Sequence, residues 1–126
     1  MEFKTDRNRV HGLGSAHEGA AHWWAQRISA LALLPLTLLF LFPFVAALGQ
    51  GFAAVHALYN GWFHALVAVL FLAVAFWHMS QGLQVVIEDY VPAKAPRTGL
   101  LLLNILLNGA LAAAGIFAVA EIAFSA

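Results

Sequence analysis

Two long stretches without charge divide this chain. From Ile28 to Ile87, sixty consecutive positions hold no Asp, Glu, Lys or Arg, and a second uncharged run covers the 23 positions from Thr98 to Ala120. A membrane crossing needs about 20 apolar residues, so the longer run has to fold back once and the shorter one crosses once. The pattern predicts an all-α integral membrane protein with three transmembrane helices. The first is expected over about 28–48, entered from an interfacial start near residue 16, the second over about 60–88 and the third over about 98–124. Gly49-Gln50-Gly51 breaks the first span. An uncharged connection then leads to about Tyr59, with His56, Tyr59, Asn60 and Trp62 marking the far interface. Val91 to Arg97 reads as a turn closed by Pro92 and Pro96. Pro35 and Pro43 fall inside the first span, where each removes a backbone donor and bends the helix.

The N-terminal 14 residues mix Lys4, Arg7 and Arg9 with Glu2 and Asp6 and read as a solvated tail or surface strap. Ser15-Ala16-His17-Glu18 has the spacing of a capping box, in which two side chains take up free amides at a helix start. His22-Trp23-Trp24 then forms an interfacial girdle, because indole prefers the headgroup level. The first 27 residues lack the apolar core of a signal peptide and the Arg/Ser-rich, acid-poor bias of a transit peptide. The mature chain is therefore expected to be largely the one written here, a single membrane domain over 1–126.

Composition sharpens this picture. Of 126 residues, 63% are hydrophobic and 10% charged, with a mean hydropathy of +0.83. That is far too apolar for an ordinary soluble domain of this size. The formal net charge is zero, so nothing points to a nucleic-acid partner. There is no cysteine, which excludes disulfides, zinc–thiolate sites and iron–sulfur ligation by this chain. All six basic residues lie on one side: Lys4, Arg7, Arg9 and Arg27 before the first span, Lys94 and Arg97 between the second and third. The positive-inside rule puts the N-terminus in the cytoplasm and the C-terminus outside.

The candidate chemistry lies in one stretch, Phe76 to Pro92. Successive helical residues turn by about 100° and rise about 1.5 Å. Gly82 is then offset from His78 by about 40°, and Asp89 by about 20° at roughly 16 Å along the axis. His78 falls near the midplane, where an ionisable side chain is costly unless satisfied. It serves there either as a haem ligand through neutral imidazole, with Gly82 leaving room for the porphyrin edge, or as a histidine bonded to a neighbouring helix or a wet cavity. Asp89 and Tyr90 sit at the inner helix end. With Arg27 they frame a polar headgroup such as a quinone carbonyl, or else form a solvated terminus. His64, near the outer end, is read as interfacial. Asn104 and Asn108 read as glue between helices, the small residues from Gly109 to Gly115 as a close-packing stretch, and Glu121 as reaching water.

These residues resemble a known family. His78-x-x-x-Gly82 followed by Asp89-Tyr90-Val91, on the second of three spans, looks like the smaller, D-type hydrophobic anchor of succinate dehydrogenase (complex II). His22-Trp23-Trp24-Ala25-Gln26-Arg27-Ile28-Ser29-Ala30 is similar to the alpha-proteobacterial members, and the likeness runs from about Ser15 onward. The resemblance implies that His78 is an axial ligand of haem b, the other ligand being a histidine of a larger, cytochrome b-type anchor subunit. It implies that Tyr90 hydrogen-bonds a ubiquinone carbonyl, that Asp89 is linked to quinone protonation and that Arg27 lies near that site.

The same resemblance implies a membrane anchor packed with a second anchor subunit in the lipid bilayer of a bacterial inner membrane. It would share one haem b and hold an iron–sulfur subunit and a flavoprotein at the cytoplasmic face, helping electrons reach ubiquinone. The chain is expected to catalyse nothing alone. The alternatives are the anchor of a quinol:fumarate reductase, which is the same site run backwards, and a helical membrane scaffold without redox chemistry.

Overall fold

The computed structural model describes residues 5–11 and 19–125, and these are helical apart from short connections. The elements are α1 (Asp6–His11), α2 (Gly19–Ala47), α3 (Phe52–Asn60), α4 (Trp62–Tyr90) and α5 (Lys94–Phe124). Three of them, α2, α4 and α5, are long and apolar enough to cross a membrane. At about 1.5 Å per residue, their 29, 29 and 31 residues exceed a hydrocarbon core of about 30 Å, so each overhangs it. The capping box expected at Ser15–Glu18 lies outside the described residues.

Local chemistry explains where the elements stop. Gly49 (φ 83°) and Gly51 (φ 88°) take backbone conformations that a Cβ would disfavour, and they turn the chain from α2 into α3. Val91, forced into extended backbone by the ring of Pro92, ends α4. Pro96 falls within the first turn of α5 rather than in the preceding turn, because amides there have no intrahelical acceptor to lose. α2 runs unbroken through Pro35 and Pro43.

Two elements differ from the sequence-based expectation. The connection before Tyr59 contains a nine-residue helix, α3, and the N-terminal tail contains the short helix α1. Both are too short for a hydrophobic period to stand out from composition.

α4 is the middle of the assembly. It packs against α2 on one side and α5 on the other, and α2 and α5 do not approach each other closely. Phe40 of α2 stacks on Phe71 of α4, ring centroids 4.4 Å apart, and also meets Tyr59 of α3. Between α4 and α5 the Leu72 side chain packs against the bare backbone of Gly115; a Cβ added at Gly115 would lie 3.1 Å from the leucine Cδ1. Asn104 donates from its amide to the carbonyl of Ser80, which makes it the interhelical tie expected of it, while Asn108 donates within α5 to Asn104. At the other end, His56 and Asn60 of α3 hydrogen-bond Ser125.

The apolar core is small, consisting of Ala47, Tyr59, Ala65, Val67 and Ala68. Large side chains such as Leu31, Phe42, Leu106 and Phe117 stand exposed along the spans. In water that surface would be prohibitive. Against lipid or another apolar chain it carries no penalty, and the three long helices make this a multi-pass membrane protein.

Candidate functional site

His78 lies on the α2-facing side of α4 and is half-buried. Its Nδ1 is 2.8 Å from Oγ of Ser29, and its Nε2 is 3.3 Å from the side-chain nitrogen of Gln26. The Ser29 hydroxyl also donates to the backbone carbonyl of Gln26 at 3.1 Å. A hydroxyl has one proton. With that proton committed to the carbonyl, Ser29 Oγ has only lone pairs for the imidazole, so Nδ1 carries the ring hydrogen and donates it. Nε2 is then a bare lone pair, and the Gln26 carboxamide donates N–H to it. The tautomer is thus assigned from the hydrogen-bond network.

The bond to a neighbouring helix that the sequence allowed for His78 is therefore present. It leaves open the other use of the ring. Both ring nitrogens are met by α2, Nδ1 closely by Ser29 at 2.8 Å and Nε2 more loosely by Gln26 at 3.3 Å.

Gly82 is one turn along. A Cβ there would come within 3.5 Å of the Gln26 side-chain nitrogen, an ordinary contact, so the Gln26 amide passes over Gly82 on its way to His78. His22, Gln26 and Ser29 share one face of α2, being spaced i, i+4 and i+7. His22 Nε2, Gln26 Oε1 and Gln81 Oε1 are buried without partners. Buried polar atoms without partners are few in native proteins and call for an explanation. Two of these three lie on α2, the helix that faces His78, and the third lies on α4 three residues from His78.

The remaining sequence-predicted residues are placed separately. Arg27 is exposed, with its guanidinium carbon 5.4 Å from the centre of the Trp23 ring. It adjoins Gln26 and so lies level with His78 and Gly82. Asp89 is seven residues beyond Gly82, about 10 Å further along the axis. Tyr90 is 81% exposed, and Asp89 is exposed beside it. Among the described residues no ion pair joins Arg27 to Asp89, and the structure does not bring these two and Tyr90 into contact. The described residues also contain no cluster of three or more His, Cys, Asp or Glu able to hold a metal ion.

Sequence reasoning assigned no role to Gln26 or Ser29. Their one signal was that they are polar positions three apart where an otherwise apolar helix enters the membrane.

Residues 1–117 match the family described as the succinate dehydrogenase/fumarate reductase transmembrane subunit. The chain belongs to that family. Over 126 residues it is 34% identical to the succinate dehydrogenase hydrophobic membrane anchor subunit of Paracoccus denitrificans, covering all of this chain and 97% of that one. It is also 34% identical over 82 residues to the succinate dehydrogenase membrane anchor subunit of Reclinomonas americana, covering 63% of this chain and 68% of the relative. A third relative, the succinate dehydrogenase hydrophobic membrane anchor subunit of Rickettsia bellii (strain RML369-C), is 26% identical over 101 residues, 80% of this chain and 81% of its own. No solved structure matches the chain. Membership of the succinate dehydrogenase/fumarate reductase family agrees with the likeness carried by His78, Gly82, Asp89 and Tyr90.

Proposed function

We propose that this chain is the hydrophobic membrane anchor of a succinate dehydrogenase, and that it contributes one axial ligand to haem b and one wall to a ubiquinone site. The observation that carries the reading is the state of His78. Its Nδ1 lies 2.8 Å from the Ser29 hydroxyl, which itself reaches the Gln26 carbonyl, and this assigns the ring hydrogen to Nδ1 and the lone pair to Nε2. A haem iron takes a neutral imidazole nitrogen of this kind, so the donor chemistry fits. The Gln26 amide meets Nε2, and Gly82 adds no side chain beside that amide. A second ligand would come from a larger, cytochrome b-type anchor subunit packed on the exposed apolar face. Bound there, haem b would accept and release single electrons.

At the end of α4, Tyr90 would donate its phenolic hydrogen to a quinone carbonyl, and Asp89 would hold or pass a proton beside it. Their exposure in the chain alone suits a site completed by partner subunits. Arg27, level with Gly82, would add positive charge toward the same membrane surface. An iron–sulfur subunit and a flavoprotein would carry out succinate oxidation on the cytoplasmic side, with this chain holding them at the bacterial inner membrane and catalysing nothing alone. The relatives' names favour succinate oxidation over quinol:fumarate reduction as the working direction.

The test is a reduced-minus-oxidised absorption spectrum of the purified complex, wild type against His78→Ala. A b-type band that is lost or altered in the variant is expected, with succinate oxidation by an artificial acceptor retained. A complex that has no b-type band, or a band indifferent to His78→Ala, would overturn the haem assignment.

A further inference from the structure

We infer that Ser29 is a positioning residue for His78: it holds the imidazole as the Nδ1–H tautomer and so makes Nε2 the metal-binding nitrogen, while Gln26 occupies Nε2 until a ligand displaces it. This inference rests on the haem reading of His78 and extends it to two residues of α2. Ser29 is 1% exposed, the most buried polar side chain among the described residues, so its hydroxyl has no water to bond. It spans two helices, accepting from His78 Nδ1 at 2.8 Å and donating to the Gln26 carbonyl at 3.1 Å. Histidines that bind metals commonly donate their other ring N–H to an oxygen acceptor, which fixes ring orientation and raises ligand basicity. Here that acceptor is the Ser29 hydroxyl oxygen.

Gln26 plays the opposite part. Its contact with Nε2 is long, at 3.3 Å, and its own Oε1 is buried with no partner. The amide is therefore weakly held on the side where a ligand must approach. Moving that side chain would remove the one hydrogen-bond contact that Nε2 makes among the described residues.

Losing the Ser29 acceptor makes the imidazole a poorer electron donor. The ferric state, which benefits most from donation, is stabilised less, so the haem midpoint potential should rise. Partners of this kind are typically worth about 10- to 100-fold in metal affinity.

The experiment compares Ser29→Ala, Ser29→Thr and Ser29→Val in the assembled complex, alongside Gln26→Ala. Readouts are the haem-to-protein ratio after dilution, an optical redox titration and the low-spin ferric electron paramagnetic resonance signal. Thr and Val have the same shape and differ by the hydroxyl, so that pair separates hydrogen bonding from packing even where Ala disturbs assembly. Ser29→Val and Ser29→Ala should retain haem about ten-fold less tightly, with a raised midpoint potential and shifted g-values. Ser29→Thr should stay near wild type, and Gln26→Ala should bind haem at least as well as wild type. Wild-type potential and g-values in Ser29→Val, or equal impairment of the Thr and Val variants, would overturn the role of Ser29 while leaving haem at His78 intact. Impaired haem retention in Gln26→Ala would overturn its part as a displaceable occupant. A wild-type complex with no haem would overturn both this inference and the reading beneath it.

Discussion

The side-chain amide of Asn104 donates to the backbone carbonyl of Ser80 at 2.8 Å, two residues along α4 from His78. The tie joins α5 to the helix that carries the site, at nearly the same depth. Hydrogen bonds between membrane helices are worth about 0.6–2 kcal/mol. Asn104→Leu should therefore lower the thermal stability of the complex measurably, and Asn108→Leu, whose donors stay within α5, should do so less. Equal losses from the two variants in a detergent melt would mean that Asn104 is not an interhelical tie.

Gly115 and Gly109 offer a matched pair. A Cβ at Gly115 would meet Leu72 at 3.1 Å, whereas one at Gly109 would meet nothing within 4 Å. Gly115→Val should force α4 and α5 apart and reduce the yield of assembled complex, while Gly109→Ala should leave the fold of this chain unchanged. Assembly yield on native gels reads the difference. Tolerance of valine at 115 would show that α4 and α5 have room to spare at Leu72.

Tyr59 is buried against Phe40, and its hydroxyl has no partner. A buried, unpaired polar atom costs about 1–3 kcal/mol, so Tyr59→Phe should leave the melting temperature unchanged or raise it. Burial also pushes the phenol above its ordinary pKa of 10.0. The folded state then holds its proton more tightly than the unfolded one. The associated stability is complete below 10.0 and is lost as pH climbs through the raised value, a loss that Tyr59→Phe should remove. A marked drop in melting temperature for the variant at neutral pH would mean that the hydroxyl is bonded.

Tyr90 separates anchoring from quinone chemistry. Tyr90→Phe keeps the ring and deletes one donor, worth about 0.5–1.5 kcal/mol and more if it leaves a buried acceptor unpaired, or a several-fold to roughly tenfold loss in rate. Quinone reduction should fall while succinate oxidation with an artificial acceptor stays normal. Intact quinone reductase activity, or a joint fall of both activities, would remove Tyr90 from the quinone site.

The one-sided distribution of basic residues sets the expected topology. A reporter fused before Met1 should be exposed to the cytoplasm, and one fused after Ala126 should be exposed on the other side. A cytoplasmic C-terminus would invert the placement of Asp89 and Tyr90.

The sequence by itself determined how many times the chain crosses and where it turns. Crossing depends on about 20 residues being apolar together, which composition alone reveals, and Gly49, Gly51 and Pro92 stop helices through their own backbone constraints. It also determined that His78 and Gly82 share a face, because the helical repeat is a local property. The tertiary structure alone decided that α4 lies between α2 and α5, that Arg27 is level with Gly82 rather than Asp89, and that His78 is met by Ser29 and Gln26, 49 and 52 positions away. No period in one helix says which residue of another will face it. That register is set by which ridges and small residues pack best between helices, as Phe40 on Phe71 and Gly115 on Leu72 do here, and it brings Ser29 and Gln26 to His78.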